Sequence, residues 1–436
     1  MSWTVLTIIM VLILFALLIP GEWISVALGV SGIAGIILGS GTKYLTTLGT
    51  ITWNTTNNFV LSAVPMFLFM GELIVNSGLS GNFYRGLMKW FKHVPGGLLH
   101  ANVIACAFYS AISGSSVATA AGIGSIAVPE TKKRGYNRKT IYGSIAAAGT
   151  LGILIPPSTV LILYGSLTDQ SVVKLFMASA IPGIVLTMLF CLYIFVSSMI
   201  EKRKGLSNVS DTDADSLTTW EAIKGIAPIV ITIVALLGSL YTGKATPVES
   251  AALGTFIVLI FGFGTKGLNW EKIVISAKSC SKSIAMILTL MISASYLTFA
   301  LSQSSVNRRL TGWVVEQGFS SLAILIVIGL VYLVLGCFMD GSSMIMLTIP
   351  LLAPICNELG VDLIWFGVYV TLLVQIGQVT PPMGLNLFMV QGIDKEAKLS
   401  EIIHGVIPFL VTMILFAVLM ILMPSMTSWL PAKLGF

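Results

Sequence analysis

"YSAISGSSVATAAGIG", Tyr109 to Gly124, lies inside one of the most apolar regions of the chain, yet it holds four serines, a threonine and three glycines. Backbone carrying that many glycines and hydroxyls is poor material for a lipid-facing helix. In a membrane, non-helical backbone survives only where protein or a water-filled cavity surrounds it. The stretch therefore predicts a turn held inside a protein, and the surroundings decide whether that protein spans a membrane.

They indicate that it does. Of 436 residues, 56% are hydrophobic and 10% charged, against roughly 25% charged in a soluble domain. Charge-poor runs long enough to cross a bilayer recur at 3–19, 24–40, 58–75, 141–167, 176–200, 226–242, 247–264, 284–301, 363–390 and 402–424. The N-terminal run lacks a basic leader and a small-residue cleavage site, which predicts a retained helix. Cys106, Cys191, Cys280, Cys337 and Cys356 fall singly in apolar runs and read as buried hydrophobes. His93, His100 and His404 have no ligand spacing. The net charge of +6 reads as topology, not as nucleic-acid binding. With the first helix starting outside, eighteen of the 24 Lys and Arg residues fall in inner loops, among them Lys132, Arg134, Arg138 and Lys202.

The chain also repeats itself. "SGSSVATAAGIGSIAVPE" from Ser113 is answered by "DGSSMIMLTIPLLAPI" from Asp340, and "GTLGILIPPSTVLIL" from Gly149 by "GQVTPPMGLNLFMV" from Gly377. Gly114 pairs with Gly341, Pro129 with Pro354, Pro156 and Pro157 with Pro381 and Pro382, and Pro182 with Pro408, at offsets of 225 to 227 residues. Five predicted crossings separate the two GSS segments, and an odd number inverts the second copy. Inverted repeats with Gly/Pro-interrupted segments in matching positions are a signature of secondary transporters.

The expected fold is thus an all-α polytopic membrane protein built of two inverted-topology repeats, each with a re-entrant helical hairpin and a proline-broken helix. Residues 1–57 form N-terminal scaffold helices. The first repeat, 58–200, contains hairpin 97–130 and broken helix 141–167. Residues 201–225 form a cytoplasmic linker and 226–270 further scaffold. The second repeat, 271–424, contains hairpin 322–359 and broken helix 363–390, and 425–436 form a tail. Amphipathic Asn82–Val94 is read as an interfacial arm with Phe83, Leu87, Trp90 and Phe91 on its apolar side, matched by Ser305–Gln317 in the second half.

Function follows from the breaks. Proline deletes a helix hydrogen bond, which is expected to leave carbonyls of Gly152, Ile153, Val374 or Gly377 free beside each hairpin tip. Neutral hydroxyl and carbonyl oxygens suit sodium. The first sodium site is read as Ser113, Gly114, Ser115 and Ser116 against Gly149, Gly152, Ile153 and Pro156. The second is Asp340, Gly341, Ser342 and Ser343 against Gly377, Thr380, Pro381 and Met383. Apolar segments hold few charges, chiefly Glu72 and Asp340, and no intramembrane arginine. An anionic substrate would therefore have to be held by helix termini, by hydroxyls of Ser116, Ser158 and Ser343, by the Asn386 amide and by sodium itself. Asp340 reads either as charge compensation at the tip or as a helix cap, and Glu72 as a structural residue. A membrane-embedded serine hydrolase is the alternative of another class, but no intramembrane His or Lys accompanies either GSS to act as base.

At these residues the sequence resembles the large membrane subunit of the tripartite ATP-independent periplasmic (TRAP) transporters. "VPMFLFMGELI" from Val64, the SGSS hairpin, "ILIPPS" and "TPPMGLN" carry the resemblance over nearly the whole chain. It implies a sodium-driven elevator-type transporter of organic acid anions in a bacterial inner membrane, with sialic acid favoured as cargo and C4-dicarboxylates next. It implies two partners, a small four-helix membrane subunit of the Q type on a separate chain and a periplasmic substrate-binding protein. A stand-alone sodium/carboxylate symporter is the neighbouring alternative.

Overall fold

The computed structural model describes residues 3–204 and 217–435, and among them there is no strand. The first half runs α1 (Trp3–Leu18), α2 (Ile24–Ser40), α3 (Thr47–Thr56), α4 (Ala63–Ser77), α5 (Leu79–Phe91), α6 (Gly97–Ser113), α7 (Ser116–Lys133), α8 (Arg138–Gly149), α9 (Leu151–Leu154), α10 (Thr159–Thr168) and α11 (Val172–Arg203). The second half runs α12 (Thr219–Tyr241), α13 (Pro247–Gly264), α14 (Trp270–Gln303), α15 (Val306–Glu316), α16 (Ser321–Gly336), α17 (Gly341–Glu358), α18 (Leu363–Val379), α19 (Leu385–Ile393), α20 (Leu399–Leu422) and α21 (Ser425–Lys433).

Both expected hairpins are helix pairs, α6–α7 and α16–α17, and both double prolines separate helices, α9 from α10 and α18 from α19. Seven of the ten expected crossings are helices long and apolar enough to span a membrane. The other three, α1, α2 and α18, are apolar helices of 16 to 17 residues, at the short end of what spans hydrocarbon. The expected linker is shorter than its polar composition suggests, because α11 continues through Arg203 and α12 begins at Thr219. That start is set by a capping box, in which Thr218 Oγ1 accepts from the Glu221 N–H (3.2 Å) and Glu221 Oε2 from the Thr218 N–H (2.8 Å). Positions 205–216 lie outside the described residues.

Burial separates scaffold from centre. In the 18-residue window that marks the Arg138–Thr168 span, 94% of residues are buried, against 22–50% for the other six spans. Every residue of α18 from Trp365 to Val379 is buried as well. The two interrupted helices are thus enclosed by protein, which is the condition for irregular backbone at membrane depth. The halves interlock around them: α10 packs on α17, α19 on α7 and α8, and α8 on α20. The α8–α20 crossing is backbone on backbone. A Cβ on Gly143 would stand 2.0 Å from the Gly405 carbonyl oxygen, so only glycine fits.

The arm α5 packs on α12, α6 and α7. Phe83, Tyr84, Leu87 and Met88 form its buried face, whereas Trp90, expected on the apolar side, is 54% exposed. An indole with one wet edge suits a headgroup layer better than a core. Tyr84 Oη donates to Asn102 Oδ1 (2.7 Å), and Asn102 Nδ2 donates to Ser144 Oγ (3.2 Å), tying the arm to the first hairpin and broken helix.

Candidate functional site

The first tip is turned by Gly114, whose φ of 59° is the left-handed conformation that glycine adopts without a Cβ penalty. Its N–H bonds the Ser110 carbonyl (2.9 Å) to close α6. Ser115 opens α7, its Oγ accepting from the Ala118 N–H at 3.4 Å. This tip touches the first break as expected. Thr159 Oγ1 donates to the Gly114 carbonyl (2.8 Å), and a Cβ on Gly152 would stand 2.8 Å from Ser110 Cβ and 3.2 Å from Thr119 Oγ1. Ser113 Oγ and Thr119 Oγ1 are 2.8 Å apart. Thr119 and Thr159 are thus part of this cluster, and the sequence reading missed both. Thr119 lies one turn into α7 and Thr159 just past the double proline, each outside the duplicated GSS and PP residues that drew attention.

The second tip is built differently. Residues 337–340 separate the two helices, and Gly341 is the first residue of α17. Asp340 caps it, Oδ2 accepting from the N–H groups of Ser342 (3.0 Å) and Ser343 (3.4 Å) while Ser343 Oγ donates to Oδ1. Of the two readings of Asp340, the helix cap is the one this geometry shows. Gly341 faces the second break: a Cβ there would stand 2.8 Å from Val374 Cγ1 and 3.2 Å from Gln378 Nε2. Gly336 is closer still, its Cβ position 2.3 Å from Gly377 Cα. Cys337 Sγ lies 3.8 Å from the Thr380 carbonyl oxygen.

The carbonyls expected to be freed are only partly free. Ile153 O accepts from Ser158 Oγ, which also caps α10 by accepting from the Leu161 N–H (3.3 Å). Gly377 O accepts from the Thr380 N–H at 3.2 Å. Each keeps a second lone pair. Val374 lies within α18, which continues to Val379, so its carbonyl belongs to the helical ladder and not to the break. Thr380 Oγ1 donates to Ile376 O (2.6 Å), which leaves its own oxygen lone pairs open.

Of the residues assigned to an anion, Ser116 is 5% exposed and begins α7, and Asn386, fully buried at the start of α19, crosses to the first half by donating to Ala146 O (3.1 Å). Ser158 and Ser343 spend their hydroxyl protons on Ile153 O and Asp340. Glu72 has the structural surroundings expected of it, its Oε1 accepting from Ser279 Oγ at 2.8 Å. Among the described residues no three His, Cys, Asp or Glu side chains gather to hold a metal. Two clefts lie away from this site: one of about 910 Å³ beside Lys174, Asp362 and Pro431, and one of about 600 Å³ between α15 and the end of α17.

Two enclosed, proline-broken helices, each met by a GSS hairpin tip, are the candidate site of this chain. The family model described as the tripartite ATP-independent periplasmic transporter, DctM component, covers residues 11–426. The chain belongs to this family. It is 31% identical over 415 residues to the C4-dicarboxylate TRAP transporter large permease protein DctM of Pseudomonas aeruginosa, covering 94% of both chains. It is 28% identical to the sialic acid TRAP transporter large permease protein SiaM of Vibrio cholerae, covering 86% of this chain and 87% of that one. Against the isethionate TRAP transporter permease protein DctMQ of Oleidesulfovibrio alaskensis the identity is 31%, over 96% of this chain and 64% of the relative. The YdaH transporter of Alcanivorax borkumensis shares the fold, with a TM-score of 0.65 at 16% identity, over 91% of this chain and 90% of that one. The chain is therefore a multi-pass TRAP large membrane subunit, a transport component and not an enzyme.

Proposed function

We propose that this TRAP subunit couples the import of an organic acid anion to sodium, moving cargo by an elevator motion of the hairpins and broken helices against the remaining helices. The observation that carries this is the pairing of each GSS tip with its own proline break, deep inside the protein, lined by hydroxyl and carbonyl oxygens at both and by a single carboxylate, Asp340, at the second. A buried charge is costly in a membrane, whereas hydroxyl and carbonyl oxygens bind a monovalent cation without one. Two cation sites result: Ser113–Ser116 with Gly149, Gly152, Ile153 and Pro156, and Asp340–Ser343 with Gly377, Thr380, Pro381 and Met383. The domain division of the sequence reading, the inverted relation of the halves and an inner-membrane location belong to the same reading.

Cargo is proposed as a carboxylate. Sialic acid and C4-dicarboxylates, the cargoes in the names of two relatives, are to be tested first. It would be held at the interface of the halves near Ser116, Asn386 and the helix termini, and delivered by a periplasmic substrate-binding protein. A small Q-type membrane subunit is the second partner; one relative's name, DctMQ, joins both letters. The test is uptake into vesicles holding all three components, screened across carboxylates in sodium and in potassium. Uptake that requires sodium and both partners supports the reading. Full-rate uptake by this chain alone in potassium overturns it. Cysteine labelling at Asn137 and Gly360 tests the inversion, which fails if both are reached from the same side.

A further inference from the structure

The second break carries a side chain that the reading above leaves unused. Gln378 is 2% exposed, and its Oε1 has no hydrogen-bond partner. An unpaired buried acceptor is destabilising, and an apolar side chain of similar size would fill the space without that cost. The group lies where the second site is built. Its Nε2 is 3.2 Å from the Cβ position of Gly341, Asp340 caps the helix that Gly341 begins, and Thr380 follows two residues later. One turn earlier on the same face of α18, Gln375 is fully buried with both Nε2 and Oε1 unpartnered. Two buried carboxamides with unpartnered atoms on one helix face, Gln378 among them at the junction of hairpin tip and break, mark a surface made for a polar ligand.

We propose that Gln378 is a direct ligand of the cation at the second site, through Oε1, beside Thr380 Oγ1 and the Gly377 carbonyl. A carboxamide oxygen is a hard, neutral donor of the same class as the backbone carbonyls, and the Asp340 carboxylate one step away balances the ion's charge. The repeat offset of 225 residues places Ile153 opposite Gln378. The first site therefore lacks this ligand, and Gln378 serves only one of the two ions.

The inference rests on the cation reading, so its test separates the two. The full chain, purified with its small subunit, is heated in increasing sodium chloride with total salt held constant by potassium chloride. Gln378→Met removes the oxygen at similar volume, whereas Gln378→Glu keeps an oxygen and removes the N–H donors. The expected result is that Gln378→Met raises the sodium concentration for half-maximal stabilisation about tenfold, about 1.4 kcal/mol. Gln378→Glu should retain wild-type response or tighten it. If Gln378→Met does not accumulate in membranes, Gln378→Asn, which withdraws the oxygen by one methylene, carries the same expectation. An unchanged sodium response in the Met or Asn variant, or a Glu variant as impaired as they are, overturns the assignment and leaves the cation reading standing. Wild type showing no sodium-specific stabilisation overturns both.

Discussion

The two hairpin tips carry the same Gly-Ser-Ser and do different things with it. At the first, Gly114 is the turn itself, and the polar groups around it are neutral hydroxyls: Ser113, Ser115, Thr119 and Thr159. At the second, Gly341 has passed the turn and begins a helix, and its cap is the carboxylate of Asp340. A pairing by sequence thus aligns glycines whose structural roles differ. The first glycine is required by its backbone conformation, the second by the nearness of Val374 and Gln378. The electrostatic consequence is that one tip offers only neutral oxygens and the other adds a carboxylate, so the two proposed sites would hold their ions by unequal means.

Glycine replacements should break the comparison most forcefully. Gly336→Ala places a methyl 2.3 Å from Gly377 Cα and 2.5 Å from its carbonyl carbon, backbone that cannot step aside. Destabilisation of about 3 kcal/mol or more is expected, read as loss of monodisperse protein or a large fall in thermal midpoint. Gly114→Ala meets Thr159 atoms at 3.2 and 3.3 Å and the Pro157 carbonyl oxygen at 3.5 Å, none of them a hard clash. It should cost about 1–2 kcal/mol for the left-handed backbone. Equal losses at the two positions would remove the distinction between a packed tip and a turning one.

Asp340→Asn sharpens the electrostatic half. Asparagine caps a helix nearly as well as aspartate, so the fold should hold while the charge is lost. The sodium concentration for half-maximal uptake should rise about tenfold, about 1.4 kcal/mol. Smaller, severalfold rises are expected from Thr380→Val at the second site and Ser116→Ala at the first, each with unchanged membrane insertion. Unchanged sodium dependence in both would make these segments packing devices.

The smallest effect lies where the halves are clasped at the loop following α19. Lys132 Nζ is 2.7 Å from Asp394 Oδ2, and Tyr142 Oη donates to the same oxygen at 2.7 Å. Burial is the largest single influence on Asp394 and acts upward. The bonds from Lys132, Tyr142 and the Glu396 N–H together outweigh it and hold its carboxyl below the usual value. The same bond raises Lys132. A depressed carboxyl contributes stability above its unfolded pKa and loses it as pH falls through the folded one. A raised ammonium contributes below its unfolded pKa and loses it as pH rises through the folded one. The clasp should therefore be constant from about pH 5 to about pH 9. With Lys132 26% exposed, Lys132→Met should cost about 1 kcal/mol or less, at all pH values in that window. A cost that varies steeply inside it would contradict the pairing.

Helix positions, hairpins and breaks were legible because hydrophobic run length, Gly-Ser-Ser and Pro-Pro each act locally. The duplication of the last two pointed to the candidate site. What stayed hidden depends on contacts across the chain. Thr159 was hidden because only the fold brings it to Gly114, and Gln378 because an amide next to a proline break gives no sign in sequence of whether its oxygen finds a partner. The freed carbonyl expected at Val374 was misplaced for a related reason: sequence locates the prolines but not how far α18 persists before them.

The central claim is that each tip and break forms one of two cation sites. The sodium dependence of uptake by the complete three-component system tests it most directly, compared among wild type, Ser116→Ala and Thr380→Val. Wild type should respond steeply, with a Hill coefficient above about 1 and up to about 2 for two sites. Each single variant should require more sodium and respond less steeply. A hyperbolic wild-type response that neither substitution shifts would contradict the claim.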